Sequence, residues 1–283
     1  MTSFDRRLTP LRPDLAAAHL RGQVDAPAFA EPRPMRVVAP AAWLRRSPAP
    51  DSPVDTEALF GEGFAAYEIT DEGWAWGQLE TDGYVGWVSA EALAPAAAAP
   101  THKVATLRTF VYPGPSIKLT PTAALSIGSR VTVSREQGDF AALATGGFVY
   151  AAHLAPRDSA ESDFVTVAER FLGAPYLWGG RTSLGLDCSG LVQVSMAAAG
   201  RPAPRDSDLQ EAGLGAPAPN WEQSGLRRGD LVFWKGHVGI MQDAERLLHA
   251  NGTHMLVISE PFAEARARIL EKTGADVTSV RRP

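Results

Sequence analysis

The stretch from Gly185 to Gly190, read GLDCSG, holds the only cysteine among the 283 residues. The apolar run LVQVSMAAA follows it, so Cys188 falls at the start of a predicted helix. The unpaired N–H groups and partial positive charge of a helix start favour a thiolate over a thiol. The glycines, with Gly179 and Gly180, would let the backbone bend sharply and leave the sulfur accessible. Position alone still leaves two interpretations, a nucleophile and a small buried apolar residue.

Two histidines supply the other groups that cysteine catalysis needs. His237 begins the strand-like run HVGIM after a predicted two-residue turn, and His249 lies in the run RLLHA. If these runs pair as antiparallel neighbours, both imidazoles can lie on one face of the sheet. A base must take the thiol proton, and a polar group must orient that base through its second ring nitrogen. We therefore predict Cys188 as nucleophile, His237 as base and His249 as the orienting residue.

Two alternatives stay open at this point. His254 is close enough in sequence to replace His249 as the orienting residue. A metal site formed by Cys188, His237 and His249 is the other alternative, although the chain lacks a tight ligand pair such as HExxH or CxxC.

Length and composition limit the classes of protein to consider. A chain of 283 residues suits two or three domains, and 45% hydrophobic with 21% charged residues is typical of a soluble globular protein. The net charge of −5, without a dense Lys/Arg tract, argues against a nucleic-acid partner. The N-terminus lacks the apolar core of a secretory signal, and no window approaches the roughly 18 apolar residues of a membrane span. We therefore expect a cytoplasmic protein that does not interact with membranes.

The sequence divides into segments of different periodicity. The Ala/Pro run from Ala92 to Pro100 predicts a semi-rigid spacer between two similar β-rich segments. The stretch 73–93 has a shortened echo at 138–154, and both contain short alternating strands with glycine turns, which predicts small barrels or sandwiches. From about residue 158 the pattern predicts helices followed by an antiparallel sheet.

Three blocks together resemble the signature of the NlpC-type cell-wall peptidases, a papain-like group of cysteine peptidases. They are GAPYLWGGRTSLGLDCSGLVQ, LRRGDLVFWKGHVGIM and LLHANG, in the expected order and spacing. The resemblance implies a Cys188, His237 and His249 site that works without a metal or organic cofactor. It also implies that Tyr176 lies beside the nucleophile and helps to bind the oxyanion.

The β-rich segments resemble bacterial SH3-like barrels. The implied fold is multi-domain, with two small all-β SH3-like barrels followed by an α+β papain-like cysteine peptidase domain. The corresponding boundaries are an N-terminal extension over 1–34, barrels over 35–95 and 101–156, and the peptidase domain over 158–283. Barrels before such a domain resemble the γ-D-glutamyl-L-diamino acid endopeptidases of peptidoglycan recycling, in which the first barrel limits the site to small peptides.

This resemblance implies a muropeptide substrate such as L-Ala-γ-D-Glu-diaminopimelate, held by its free N-terminal amine. A buried ammonium needs carboxylates and hydroxyls around it. The residues that match the subgroup's peptide and amine contacts are Asp187, Ser189, Asp206, Ser207, Glu62 and Tyr84. Glu62 has a second interpretation as a solvated turn residue.

The choice between diaminopimelate and lysine after the scissile bond stays open in the sequence. Two other functions also remain, a secreted hydrolase of intact peptidoglycan and a wall-binding protein without catalysis.

Overall fold

The computed structural model describes residues 4–96 and 98–283. Its contacts divide the chain into two units, Met1–Arg157 and Asp158–Pro283. No helix within the described residues is both long enough and apolar enough to cross a membrane. The predicted spacer starts too early, because Leu93–Pro95 forms a strand of the first sheet, and Ala97 lies outside the described residues.

The N-terminal unit begins with a parallel strand pair and continues into a seven-stranded sheet. The pair is β1 (Leu15–Ala17) and β2 (Ala28–Ala30). The sheet has the order β5-β4-β8-β7-β6-β3-β9. Its strands are β3 (Arg33–Val37), β4 (Ala41–Arg45), β5 (Val54–Leu59), β6 (Gly63–Ile69), β7 (Trp74–Leu79), β8 (Val85–Ser89) and β9 (Leu93–Pro95).

Alternating apolar side chains give this sheet its own core. Leu44, Phe64, Leu79 and Val88 are almost completely buried in one cluster. Gly77 is required where β7 pairs with β6, since a Cβ there would lie 2.2 Å from the carbonyl oxygen of Ala65. The strand order has two free ends, β5 and β9, so no closed barrel is found within the described residues.

The second β-rich segment forms three small sheets with the orders β13-β10-β17, β11-β12 and β14-β15-β16. Its strands are β10 (His102–Val104), β11 (Arg108–Val111), β12 (Ala123–Ser126), β13 (Arg130–Val131), β14 (Val133–Gln137), β15 (Phe140–Leu143), β16 (Phe148–Tyr150) and β17 (Leu154–Pro156). In both segments a strand pair leads into a single 3-10 turn, Ala90–Ala92 or Ala151–His153, and then into a short strand read LAP. The sequence echo therefore corresponds to a repeated succession of elements.

The C-terminal unit places helices on a six-stranded sheet with the order β20-β25-β21-β22-β23-β24. Its helices are α1 (Phe164–Glu169), α2 (Cys188–Ala198), α3 (Ser207–Gly213), α4 (Trp221–Ser224) and α5 (Phe262–Thr273). Its strands are β18 (Arg181–Thr182), β19 (Gly185–Leu186), β20 (Ala216–Pro217), β21 (Leu231–Trp234), β22 (His237–Met241), β23 (Arg246–Asn251), β24 (Leu256–Pro261) and β25 (Ser279–Arg282).

The predicted hairpin and helix are both present in this unit. Trp234 pairs with His237 across the two-residue turn, where Gly236 takes a φ of 76°. Helix α2 contacts β22 and β23, and Gly200 just beyond its end takes a φ of 72°. Helix α5 packs through Phe262 and Ala265 on the sheet. The sheet is therefore held between two helices, one of which starts at the cysteine.

Candidate active site

Asp187 sets the start of the helix that carries the cysteine. Its Oδ1 accepts a hydrogen bond of 2.7 Å from the backbone N–H of Gly190, as an N-cap residue does. Gly190 packs so closely that a Cβ would lie 2.2 Å from the carbonyl oxygen of Gly180. The glycines around Cys188 thus serve close backbone packing, and the helix begins where the sequence predicted.

The Cys188 thiol is less accessible and less acidic than the sequence suggested. Only 8% of the residue is exposed, so the predicted accessible sulfur is wrong for this conformation. Burial raises the pKa of the thiol to about 12, and the charge of Asp187 acts in the same direction. The backbone N–H groups of Val238 and Ser189 act against this rise without outweighing it. The effect of burial on the thiol pKa therefore outweighs the opposite effect of the backbone N–H groups at the helix start, and the resting form is the neutral thiol.

His237 and His249 meet as predicted. In the antiparallel pairing of β22 with β23, Ile240 lies opposite Leu248, and this register puts both histidines on one face. Nε2 of His237 lies 2.8 Å from Nδ1 of His249. Val238, which follows His237, brings its N–H to the thiol, so the start of β22 lies against Cys188.

Burial controls the charge of both histidines. Together with the neighbouring His249 and Arg268, it lowers the pKa of His237 to about 3, although Glu260 acts in the opposite direction. Burial also lowers the pKa of His249, although the carboxylate of Glu260 opposes this. Both rings are therefore neutral at pH 7, and His237 is ready to accept a proton.

Three residues that the sequence analysis did not single out surround His249. Nε2 of His249 lies 2.7 Å from Oε1 of Glu260 and 3.0 Å from Nδ2 of Asn251. Arg268 of α5 donates to Oε2 of the same glutamate over 2.7 Å. Nδ1 of His254 lies 3.1 Å from Oδ1 of Asn251, so the structure places His249 and not His254 on the base.

Tyr176 lies close enough to the nucleophile to share its electrostatics. Burial raises its pKa above the usual value, followed by the charges of Cys188 and Asp187. The hydroxyl therefore stays protonated and can donate a hydrogen bond. Its part in binding an oxyanion stays a prediction.

Arg205 is a buried cation that the sequence analysis did not single out. It is 1% exposed, and its guanidinium donates to both oxygens of Asp187 over 2.9 and 2.6 Å. It also donates to Oγ of Ser189 over 2.8 Å. Asp187 and Ser189 thus order the nucleophile's turn, and their predicted contact with substrate stays a prediction.

The remaining predicted substrate residues lie in different parts of the chain. Asp206 precedes α3 and Ser207 is its first residue, both half-buried. Glu62 is 2% exposed and its Oε2 accepts from the backbone N–H of Leu59 over 2.8 Å, so it is not a solvated turn residue. Tyr84 is buried in the core of the first sheet. A shared amine pocket formed by these residues stays a prediction.

The buried neutral histidines predict a protein that loses stability in mild acid. Below pH 6.5 His237 is protonated in the unfolded chain. In the folded chain it stays neutral down to about pH 3. The free energy of unfolding should therefore fall as the pH drops from 6.5 to 4.5, by about 1.4 kcal/mol per pH unit for each such histidine. Urea unfolding followed by tryptophan fluorescence measures this slope.

In the variant His237→Gln the free energy of unfolding should fall less steeply over that interval. The variant lacks the side chain that takes up a proton only when the chain unfolds. The matched control is His19→Gln, since His19 is exposed in the N-terminal unit. Equal slopes for the wild type and His237→Gln would contradict a buried neutral His237.

Comparison with known proteins agrees with this geometry. The chain matches the NlpC/P60 family over residues 173–270 and the bacterial dipeptidyl-peptidase SH3 domain over residues 44–93. It is 28% identical over 244 residues to the γ-D-glutamyl-L-lysine dipeptidyl-peptidase of Bacillus subtilis, covering 76% of this chain and 79% of that protein. It is 36% identical over 115 residues to the probable endopeptidase NlpC of Escherichia coli, covering 35% of this chain and 72% of that protein.

A solved structure has the same fold. An NlpC/P60 family protein from Bacillus cereus superposes with a TM-score of 0.73 at 20% identity, covering 88% of this chain and 99% of that one. Four further curated relatives are matched over only 21 to 36% of their own lengths. Helix α2 with Cys188 at its start, the two strands that carry histidines and these matches agree: the chain has an SH3-like domain and a papain-like peptidase domain, and it belongs to the NlpC/P60 family.

Proposed function

We propose that this protein is a cysteine endopeptidase that hydrolyses the γ-D-glutamyl to L-diamino acid bond of muropeptides with a free N-terminal L-alanine. The observation that carries the proposal is the extent of one match. The γ-D-glutamyl-L-lysine dipeptidyl-peptidase of Bacillus subtilis is matched over 76% of this chain, which includes β-rich segments as well as the peptidase domain.

Other relatives support the reaction class but not this substrate choice. The E. coli endopeptidase NlpC and the bifunctional muramidase/DL-endopeptidase CwlT of B. subtilis are matched over 35 and 30% of this chain. A domain described as the SH3 domain of bacterial dipeptidyl-peptidases, matched at residues 44–93, favours the dipeptidyl-peptidase reaction over hydrolysis of intact wall.

The first half of the reaction starts from a neutral thiol and a neutral imidazole. Sγ of Cys188 attacks the carbonyl carbon of the scissile amide while its proton moves to His237, on the ring nitrogen that is not bonded to His249. The tetrahedral oxyanion is stabilised by N–H groups at the start of α2 and by the protonated hydroxyl of Tyr176. The C–N bond then breaks, and His237 returns the proton to the leaving amine.

The second half hydrolyses the resulting thioester. Water gives a proton to His237 as its oxygen attacks the acyl carbon, and the sulfur leaves and recovers that proton. Because His237 gains and loses positive charge twice per turnover, the negative charge of Glu260 stabilises its charged form at each step.

Recognition of the free amine predicts a sharp preference between two substrates. We expect L-Ala-γ-D-Glu-diaminopimelate to be cleaved at least about 100-fold faster, in kcat/KM, than its N-acetyl derivative. Acetylation removes the charge of the terminal amine, so the proposed amine pocket would lose its ammonium partner. Liquid chromatography of the released diamino acid measures both rates. Substitution of lysine for diaminopimelate in the same assay resolves the specificity after the scissile bond.

Equal rates on the free and acetylated peptides would contradict amine recognition. The competing function is hydrolysis of intact wall, which dye release from labelled sacculi measures. Activity on sacculi together with indifference to acetylation would favour a secreted wall hydrolase.

Two further features belong to this proposal. We expect residues 101–156 to be a second SH3-like unit, supported by the repeated strand pair, 3-10 turn and LAP strand. We also expect action in the cytoplasm, on wall fragments imported during turnover, as the resemblance to the endopeptidases of peptidoglycan recycling implies. Fractionation of the producing cell tests that location.

A further inference from the structure

We propose that Glu260, held by Arg268, is a positioning residue that fixes the hydrogen positions on both active-site histidines, so that an unprotonated nitrogen of His237 faces the thiol. This inference rests on the cysteine and histidine chemistry proposed above. It adds a residue that the sequence motifs do not include.

Glu260 is placed for this role by the sheet. In the pairing of β23 with β24 it lies opposite Leu247, and is therefore diagonal to His249 on the same face. Glu260 is 8% and His249 1% exposed, so their 2.7 Å contact is shielded from water. Arg268 reaches the carboxylate from α5 and donates to both of its oxygens.

The two donors keep this carboxylate ionised. Burial acts to raise its pKa, but the hydrogen bonds from His249 and Arg268 outweigh burial and lower the pKa to about 2. An ionised carboxylate can only accept hydrogen bonds. Nε2 of His249 must therefore carry a hydrogen.

In a neutral imidazole one ring nitrogen donates a hydrogen bond and the other accepts one. With its hydrogen on Nε2, His249 offers Nδ1 as an acceptor. Nε2 of His237, 2.8 Å away, must then donate to it, which leaves Nδ1 of His237 without a hydrogen. This nitrogen is the one that can take the thiol proton.

Asn251 would favour the opposite tautomer of His249 if Glu260 were absent. Its Oδ1 accepts from the backbone N–H groups of Thr253 and His254, which turns its NH₂ group towards His249. Nδ2 lies 3.0 Å from Nε2 of His249. Without the carboxylate this amide would donate to Nε2, and both histidines would adopt the opposite tautomer. His237 would then present an N–H group to the thiol and could not act as base.

The tautomers can be measured directly. Long-range ¹H–¹⁵N spectra of the ¹⁵N-histidine-labelled full chain distinguish a hydrogen on Nδ1 from one on Nε2. We expect Nε2–H on both His237 and His249 in the wild type. A wild-type spectrum with Nδ1–H on His237 would overturn the proposal without any variant.

The variant Glu260→Gln should reverse the tautomers. Arg268 only donates, so the new amide would turn its carbonyl to Arg268 and its NH₂ group to His249. We expect Nδ1–H on both histidines and a fall in kcat of about 100-fold or more, with KM changed by less than about 3-fold.

The matched control is Glu271→Gln, an exposed glutamate on the same helix as Arg268, which should keep the tautomers and kcat of the wild type. Unchanged tautomers in a folded Glu260→Gln variant would also overturn the proposal. The spectra need no substrate, so wild-type tautomers as expected with no cleavage of the muropeptide would contradict only the proposed substrate.

Discussion

Replacing Cys188 by alanine is expected to reduce hydrolysis of L-Ala-γ-D-Glu-diaminopimelate by roughly 10⁴-fold or more. In the proposed mechanism the sulfur of this thiol forms the acyl-enzyme, and the chain contains no other cysteine to replace it. Chromatography of the released diaminopimelate measures the loss. The fold should be retained, because the substitution removes one sulfur atom from the start of α2.

The matched control is Ser195→Ala, two turns further along the same helix. Ser195 is fully buried, so this variant tests an equally small change in packing. It should keep activity within about 3-fold of the wild type. Undiminished cleavage by Cys188→Ala would remove the nucleophile from the proposal, whereas peptide binding retained without cleavage would agree with it.

The largest expected effect on stability comes from Arg205→Met. Arg205 is 1% exposed, and its partner Asp187 is itself buried at the start of the catalytic helix. Burial acts to lower the pKa of Arg205, but the charge of Asp187 raises it above its usual value, so the pair is ionised. Removing the cation leaves a buried carboxylate without its counter-charge. We expect a loss of about 3 to 5 kcal/mol in the free energy of unfolding, measured by urea titration.

Two variants identify the cause of that loss. Arg201→Met removes an exposed arginine nearby and should change the free energy of unfolding by less than about 0.5 kcal/mol. Adding Asp187→Asn to Arg205→Met should recover part of the loss, because asparagine can still cap the helix but carries no charge. Additive losses in the double variant would mean that the two residues are not coupled.

The sequence by itself determined the local features of the site. The apolar run after Cys188 predicted a helix starting there, and α2 begins at that residue. The Lys235 and Gly236 pair predicted a tight hairpin, and the register across it follows. Strand periodicity of two then placed His237 and His249 on one face. These features depend on neighbours within a dozen residues, so a local pattern is sufficient to predict them.

Some predictions from local patterns were wrong for a physical reason. The helix start favours a thiolate, but packing under β22 removes water from the thiol and raises its pKa. The β-rich segment before Ala97 has the expected strands, yet their order leaves the sheet open. Burial and strand order depend on the whole fold, which the spacing of residues along the chain does not contain.

Only the tertiary structure decided which charged groups contact the predicted site residues Asp187 and His249. Arg205 reaches Asp187 from 18 positions along the chain, and Glu260 reaches His249 across β23 and β24. In the sequence these residues are an arginine in PRDSD and a glutamate in LVISEP, with no local sign of a buried partner. Their roles follow from register and burial, because a charge removed from water must find its counter-charge wherever the fold brings one.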